Sequence, residues 1–304
     1  MKTLLFTFLL VPLLSYAQGI RTEISDEGIL FTDNADTILF YQTAPKSLNG
    51  EYTRSNYIHP LYNLRGEILT EDFPEDHPHH RGIFWAWHQL YIGDKRIGDG
   101  WEIKDFSWEV TDVETVLSLN ESQSIKVHVL WKSPLWTDEN GSLKPIVEET
   151  TTITVQPKQE DYRAIDLEIS LLGLEPNMRI GGSEDAKGYG GFSPRVKLPA
   201  DVVFTDPNGI VTPQNLPVEA NSWMDIYSET LGGITIFSHP QNPGYPNPWI
   251  LRSKNSMQNA VYPHPGATPV SLSNTTPTVL KYRLLVHEGL EANVLNELFK
   301  SYCK

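Results

Sequence analysis

IVEETTTITV (residues 146–155) and YRAIDLEISL (residues 162–171) decide the fold. Both runs alternate apolar with polar or charged side chains and are rich in Val, Ile and Thr. That is the period of a strand with one face buried. Asp161 stands just before the second run and marks a turn, so the two read as an antiparallel hairpin. The same signature recurs outward in both directions, over 20–25, 29–32, 37–43, 83–92, 106–116, 124–130, 202–205, 222–227, 233–238 and 279–287. Gly, Pro, Asn and Asp separate these runs, and Asn140-Gly141 is a second hairpin signal. Only 288–302 differs: Leu290, Val294, Leu295 and Leu298 fall at helical spacing. The expectation is an all-β chain, a large two-sheet β-sandwich closed by one C-terminal helix. With no composition break or low-complexity tract, residues 18–304 read as a single domain.

The first residues point to export. Lys2 precedes an apolar run over 4–14, and Ser15 and Ala17 place small residues at the −3 and −1 positions of a cleavage site. A signal peptide over 1–17 and a periplasmic or secreted chain are expected. No later stretch approaches the roughly 20 apolar residues of a membrane span, so no insertion is expected after cleavage. The lone Cys303 leaves disulfides and thiolate metal sites out of the fold. A formal charge of −14 disfavours nucleic acid and anionic membranes as partners. Eight Trp and 13 Tyr supply apolar faces with polar edges, the surface on which sugar rings stack. The oligomeric state is not legible.

Three stretches carry candidate chemistry. The densest runs from Asp72 to Gly82 and contains Asp76-His77-Pro78-His79-His80-Arg81. A His whose ordinary pKa lies near neutrality serves as general acid or base, and two imidazoles at close spacing serve a transition metal. The acid–base reading of His79 and His80 is preferred. A metal held by His77, His79 and His239 is the alternative, and no cofactor is favoured. The second stretch, Gly181 to Arg195, is glycine-rich and presents Lys187, Tyr189 and Arg195 without phosphate-loop spacing. The third runs from Ser238 to Trp249 with Arg252 beyond it. His239 ends a strand there, while Tyr245 and Trp249 offer stacking surfaces. Asp225, on the preceding strand, adds a carboxylate, and His59 in Tyr57-Ile58-His59-Pro60 offers one more wall. Paired carboxylates for hydrolysis would be Asp225 with Glu148 or Glu149. No nucleophile elbow, zincin helix or dinucleotide fingerprint is present.

His59-Pro60-Leu61-Tyr62, Asp72-Phe73-Pro74 through Gly82, Lys187 to Phe192 with Arg195, and His239-Pro240 through Trp249 together resemble a bacterial family of unknown function often labelled "methane oxygenase PmoA-like". The oxygenase label is set aside, because such a membrane subunit needs several spanning helices. The resemblance implies an association with glycan-degrading enzymes and, more distantly, a galactose-mutarotase-like supersandwich. The resulting expectation is a carbohydrate lyase or hydrolase. Its acid–base groups would be His79, His80, Lys187, Tyr189 and His239, with His59, Arg81, Arg195, Asp225, Tyr245 and Trp249 binding a carbohydrate. A non-catalytic sugar-binding protein and a His-based metal hydrolase or oxidase are the alternatives.

Overall fold

The computed structural model describes residues 19–116, 120–219, 221–254 and 257–304. The expected export signal, 1–17, lies outside the described residues. The hairpin that opened the reading forms as Leu143–Val155 paired antiparallel with Tyr162–Gly173, Thr151 opposite Ile169. It sits inside a nine-stranded sheet. In order across that sheet run Ser107–Val116, Gln123–Thr137, Leu143–Val155, Tyr162–Gly173, Thr278–His287, Gly232–Ser238, Trp223–Ser228, Val203–Asp206 and Gly209–Ile210. An eight-stranded sheet faces it, in the order Ile20–Ile24, Gly28–Asp33, Asp36–Gln42, Tyr57–Leu61, Ile83–Trp87, Gly190–Pro194, Asn259–Val261 and Trp249–Ile250. Every pairing among the described strands is antiparallel. The all-β class, the two large sheets and the C-terminal helix therefore stand as expected.

The core between the sheets is aromatic. Trp87 and Trp131 meet across it with ring centroids 5.5 Å apart, and Phe192 stacks on Tyr282 at 4.3 Å. One carboxylate lies among these rings. Glu149 is fully buried and accepts hydrogen bonds from Trp85 Nε1 (2.8 Å), Trp131 Nε1 (2.7 Å), Asn56 Nδ2 (2.8 Å) and Thr151 Oγ1 (2.7 Å). Trp85 belongs to the eight-stranded sheet and Trp131 to the nine-stranded one, so a single side chain ties the two layers. Burial raises the carboxyl above its ordinary range, and the four donors offset only part of that. Glu149 is thus a structural group, and its neighbour Glu148 faces solvent. The paired-carboxylate expectation fails here.

The run 83–92, read as one strand, is two. Ile83–Trp87 belongs to the large sheet, whereas Gln89–Ile92 pairs with Met178–Gly181 and Lys95–Gly98 in a four-stranded sheet. The chain changes sheets at His88. Alternation along Ile83–Trp87 sends Trp85 and Trp87 into the core and leaves Phe84, Ala86 and His88 for the opposite face. The helix spans Ala292–Tyr302, shorter at its start than the spacing predicts, and lays Leu295, Leu298, Phe299 and Tyr302 on Trp223, Phe237 and Leu285. Among the described residues no helix is long and apolar enough to cross a membrane.

Glu149→Ala would leave two indole N–H groups, Asn56 and Thr151 unsatisfied in a dry interior. We expect a loss of about 3–5 kcal/mol, the scale for breaking a buried charged network, read as a lower urea midpoint at unchanged m-value. A shift below about 0.5 kcal/mol, the size of an ordinary surface change, would show that the carboxylate does not hold the sheets together.

Candidate functional site

The loop from Asp72 to Gly82 is fixed at both ends. Gly82 N donates to Glu71 O at 2.7 Å, and Arg195 N donates to Gly82 O at 2.7 Å. Gly82 has φ +55°, and a Cβ there would sit 2.0 Å from Ile58 O, so only glycine fits. Within the loop, His80 is buried and stacks on His77 (4.7 Å, 8° between planes), while His79 meets its edge at 4.5 Å. Arg195 arrives from the end of the Gly190–Pro194 strand and clamps the loop. Its Nε donates to Glu71 at 2.7 Å, Nη2 donates to Asp76 Oδ1 at 2.7 Å, and Nη1 reaches His80 Nδ1 at 3.2 Å. Burial pushes the Asp76 carboxyl up, but hydrogen bonds from Arg195 and His77 outweigh it, and the net shift is downward.

A second group, built from the turn after Lys95–Gly98, completes the cluster. Asp99 Oδ1 accepts from Trp101 N (3.0 Å) and Glu102 N (2.9 Å), and Gly100 N donates to Trp87 O at 3.0 Å. This holds Trp101 over the outer face of the large sheet. Its ring lies 5.5 Å from Phe84, 6.2 Å from His80, 5.5 Å from Tyr189 and 5.2 Å from His88, the last nearly parallel at 22°. Asp99 Oδ2 is 3.0 Å from His88 Nδ1. A carboxylate on Nδ1 keeps the proton there and leaves the Nε2 lone pair free, the arrangement of a general base. Glu102 lies 3.7 Å from His79 Nδ1 and is raised above its ordinary value by burial, then by Asp99. His79 is pushed down to about 4 by burial, with His77 and Arg54 adding to it. His80 is driven lower still for the same first reason.

Arg54 underlies the cluster. It is buried between the rings of Phe84 (4.7 Å) and Trp108 (4.1 Å), donates to Gly100 O at 2.7 Å, and has no described partner for Nε or Nη1. A hollow of about 330 Å³ lined by Arg96, Gly98, Asp99, Lys104, Asp105 and Leu135 adjoins the cluster through Asp99. Another of about 310 Å³, near Arg65, Lys158 and Arg163, contains none of these groups.

Of the residues singled out in the sequence, His77, His79, His80, Tyr189 and Arg195 come together. Lys187 lies in the same glycine-rich loop as Tyr189 but points to Asp185, 3.9 Å away at the surface. Arg81 is not available to a ligand. Fully buried, it donates to Asp72, Tyr57 Oη and the carbonyls of Lys46 and Tyr52, and stacks on Phe73 at 3.5 Å. His59 pairs with Thr70 Oγ1 at 2.9 Å and is likewise lowered to about 4 by burial. Two sheets separate His239 from the cluster, since it ends Gly232–Ser238 of the nine-stranded sheet and packs on Tyr302 of the helix at 5.1 Å. The triad of His77, His79 and His239 is therefore not assembled. Among the described residues no group of three or more His, Cys, Asp or Glu could hold a metal ion. Asp225 is buried on His287 Nε2 (2.9 Å) and Thr235 (2.9 Å) in that same sheet. Trp249 is a core side chain, and Tyr245 sits half-buried in the loop that follows His239. His88, Asp99, Trp101 and Glu102 escaped the sequence reading. Their one signal was parity: His88 shares the outward face with Phe84 and Ala86.

A family model described as a family of unknown function, DUF6807, matches residues 29–300. The chain belongs to that family. No curated protein matches it. Among solved structures it is similar to a GH36 alpha-galactosidase of Geobacillus stearothermophilus in complex with raffinose, at 10% identity and a TM-score of 0.33. That likeness covers 89% of this chain and 40% of the other, so the chain spans about two fifths of the length of the structure it matches.

Because His79 and His59 hold a proton less tightly folded than unfolded, the unfolded chain binds more protons between about 4 and 6.5. Stability is therefore full above 6.5, falls as pH drops through that window, and rises again with pH. Urea midpoints across the window should show this slope, and His79→Phe should make it shallower, with His59 and His80 supplying the rest. An unchanged slope in the variant would mean that His79 titrates normally.

Proposed function

We propose that the chain is an acid–base enzyme acting on a carbohydrate outside the cytoplasm, with its chemistry at the Trp101 cluster. The observation that carries this reading is the Asp99–His88 pair at 3.0 Å beside the Trp101 ring at 5.2 Å. Trp101 is itself buried, so a sugar would lie at the edge of the cluster, its C–H and O–H groups against the imidazole and carboxyl rims. His88 Nε2 accepts a proton there, and Asp99 stabilises the imidazolium that forms. Glu102, 3.7 Å from His79 Nδ1 and raised above its ordinary value by burial, is the carboxyl placed to protonate a departing oxygen. Base and acid then belong to one cluster around Trp101, which suits elimination or hydrolysis assisted by a water. Residues 1–17 supply the argument for export.

The test is turnover on a panel of neutral and uronate-containing oligosaccharides, followed by reducing ends and by ultraviolet absorbance of an unsaturated product. His88→Ala should lower kcat by about 10²–10⁴-fold, the range for removing a general base, with ligand affinity changed far less. Asp99→Asn should fall in the same direction. Binding without turnover by the wild type on every member would replace the enzyme with a sugar-binding protein.

A further inference from the structure

The imidazole that the cluster does not use as a base is His80, and its surroundings say what it can do. A guanidinium has only N–H donors. At 3.2 Å from Arg195 Nη1, His80 Nδ1 must therefore be the acceptor. The proton of the neutral ring then sits on Nε2. Arg195 cannot easily turn away, because Glu71 and Asp76 hold its other nitrogens. The ring is held on its faces and edges by His77, His79 and Trp101. No described residue accepts from Nε2, and Nε2 is not among the fully buried polar atoms that lack a partner, so in a ring 3% exposed this N–H keeps a narrow contact with solvent.

We propose that His80 is a neutral electrophile, its Nε2–H aimed at a developing oxyanion, with Arg195 the positioning residue that fixes the tautomer. The substrate this selects is a sugar derivative with a carbonyl beside the reacting carbon, a uronate or its ester. This rests on the carbohydrate reading above and narrows it. His88 Nε2 takes the proton from the carbon next to the carbonyl. The C–H pair becomes a C=C bond, and the carbonyl oxygen receives the displaced pair and the hydrogen bond from His80. Collapse of the enolate restores the carbonyl, breaks the C–O bond at the next carbon and sends the Glu102 proton to the leaving oxygen. A fixed donor at a developing oxyanion is worth most in a partly dry site. Burial, Arg54 and Arg195 all oppose a second proton on the ring, so it stays neutral and donates rather than accepts.

Two measurements test this. Long-range proton–nitrogen correlation on histidine-labelled protein, from about pH 5 to 8 where a free imidazole titrates, should show His80 as the Nε2–H tautomer throughout. Arg195→Met should mix the tautomers, while Arg195→Lys, which keeps a donor, should restore the order in part. A Nδ1–H or doubly protonated His80 in the wild type overturns the proposal. In the second, D-galacturonate should bind at least about tenfold tighter than D-galactose, a hydrogen bond to a charged group. His80→Phe should abolish that preference and His80→Gln should retain part of it. Equal binding of the two sugars, or a preference that survives His80→Phe, overturns the inference and leaves the carbohydrate reading standing. Binding of neither sugar removes both.

Discussion

A carboxylate without water is the constraint on which the rest of this structure turns. Taking the Glu149 carboxyl out of solvent is costly, and only a complete set of donors recovers it. The four donors come from four places in the chain: Asn56, Trp85 of one sheet, and Trp131 and Thr151 on two strands of the other. Each sheet is therefore registered against the other by a polar contact as well as by packing. The aromatic core around it is non-directional, and indole rings alone would tolerate a slide of one layer on the other. The hydrogen bonds do not.

This contact decides what the outer face carries. A strand alternates, so fixing Trp85 inward fixes Phe84, Ala86 and His88 outward. A one-residue slip would turn His88 inward and take Trp85 and Trp87 away from the space between the sheets. The neighbouring strand repeats the logic, with Phe192 inward on Tyr282 and Gly191 and Ser193 outward. Those small residues leave the outer face low, and the turn bearing Trp101 settles over it. Three buried arginines then lock what surrounds it: Arg81 anchors the start of the loop to Asp72, Arg195 joins the loop to the sheet, and Arg54 holds the carbonyl of Gly100.

The sheets were legible because half-buried strands print their period on the sequence. Leu143–Val155, Tyr162–Gly173 and Thr278–His287 all lie within a few residues of the runs read from alternation alone. Gly190–Pro194 was not, since a strand of small residues buried on both faces has no alternation to show. The site was half legible. Local density exposed His77, His79 and His80, and the glycine-rich run pointed to Tyr189 and Arg195. His88 was hidden by a change of sheet in the middle of an apolar run, and Asp99 and Trp101 by lying in a short turn with no pattern. His239 and Asp225 were misread for the converse reason. A polar residue at a strand end or inside a strand looks the same whether it faces a ligand or another strand, and here the partners, Tyr302 and His287, are remote in sequence.

Proximity of three imidazoles invites a metal, and the proposed acid–base chemistry rests instead on the charges around them. A ligand histidine offers a lone pair, usually with its other nitrogen donating to a carboxylate or carbonyl. His88 has that second partner in Asp99, and its ring packs on Trp101. His80 has the opposite partner, a guanidinium, which consumes its lone pair and leaves an N–H. Both rings pack on one indole with reversed polarity, one offering an acceptor and the other a donor. A metal wants acceptors that converge, whereas moving a proton from carbon while holding charge on oxygen wants one of each. The second arrangement is the one that the Asp99 and Arg195 contacts enforce.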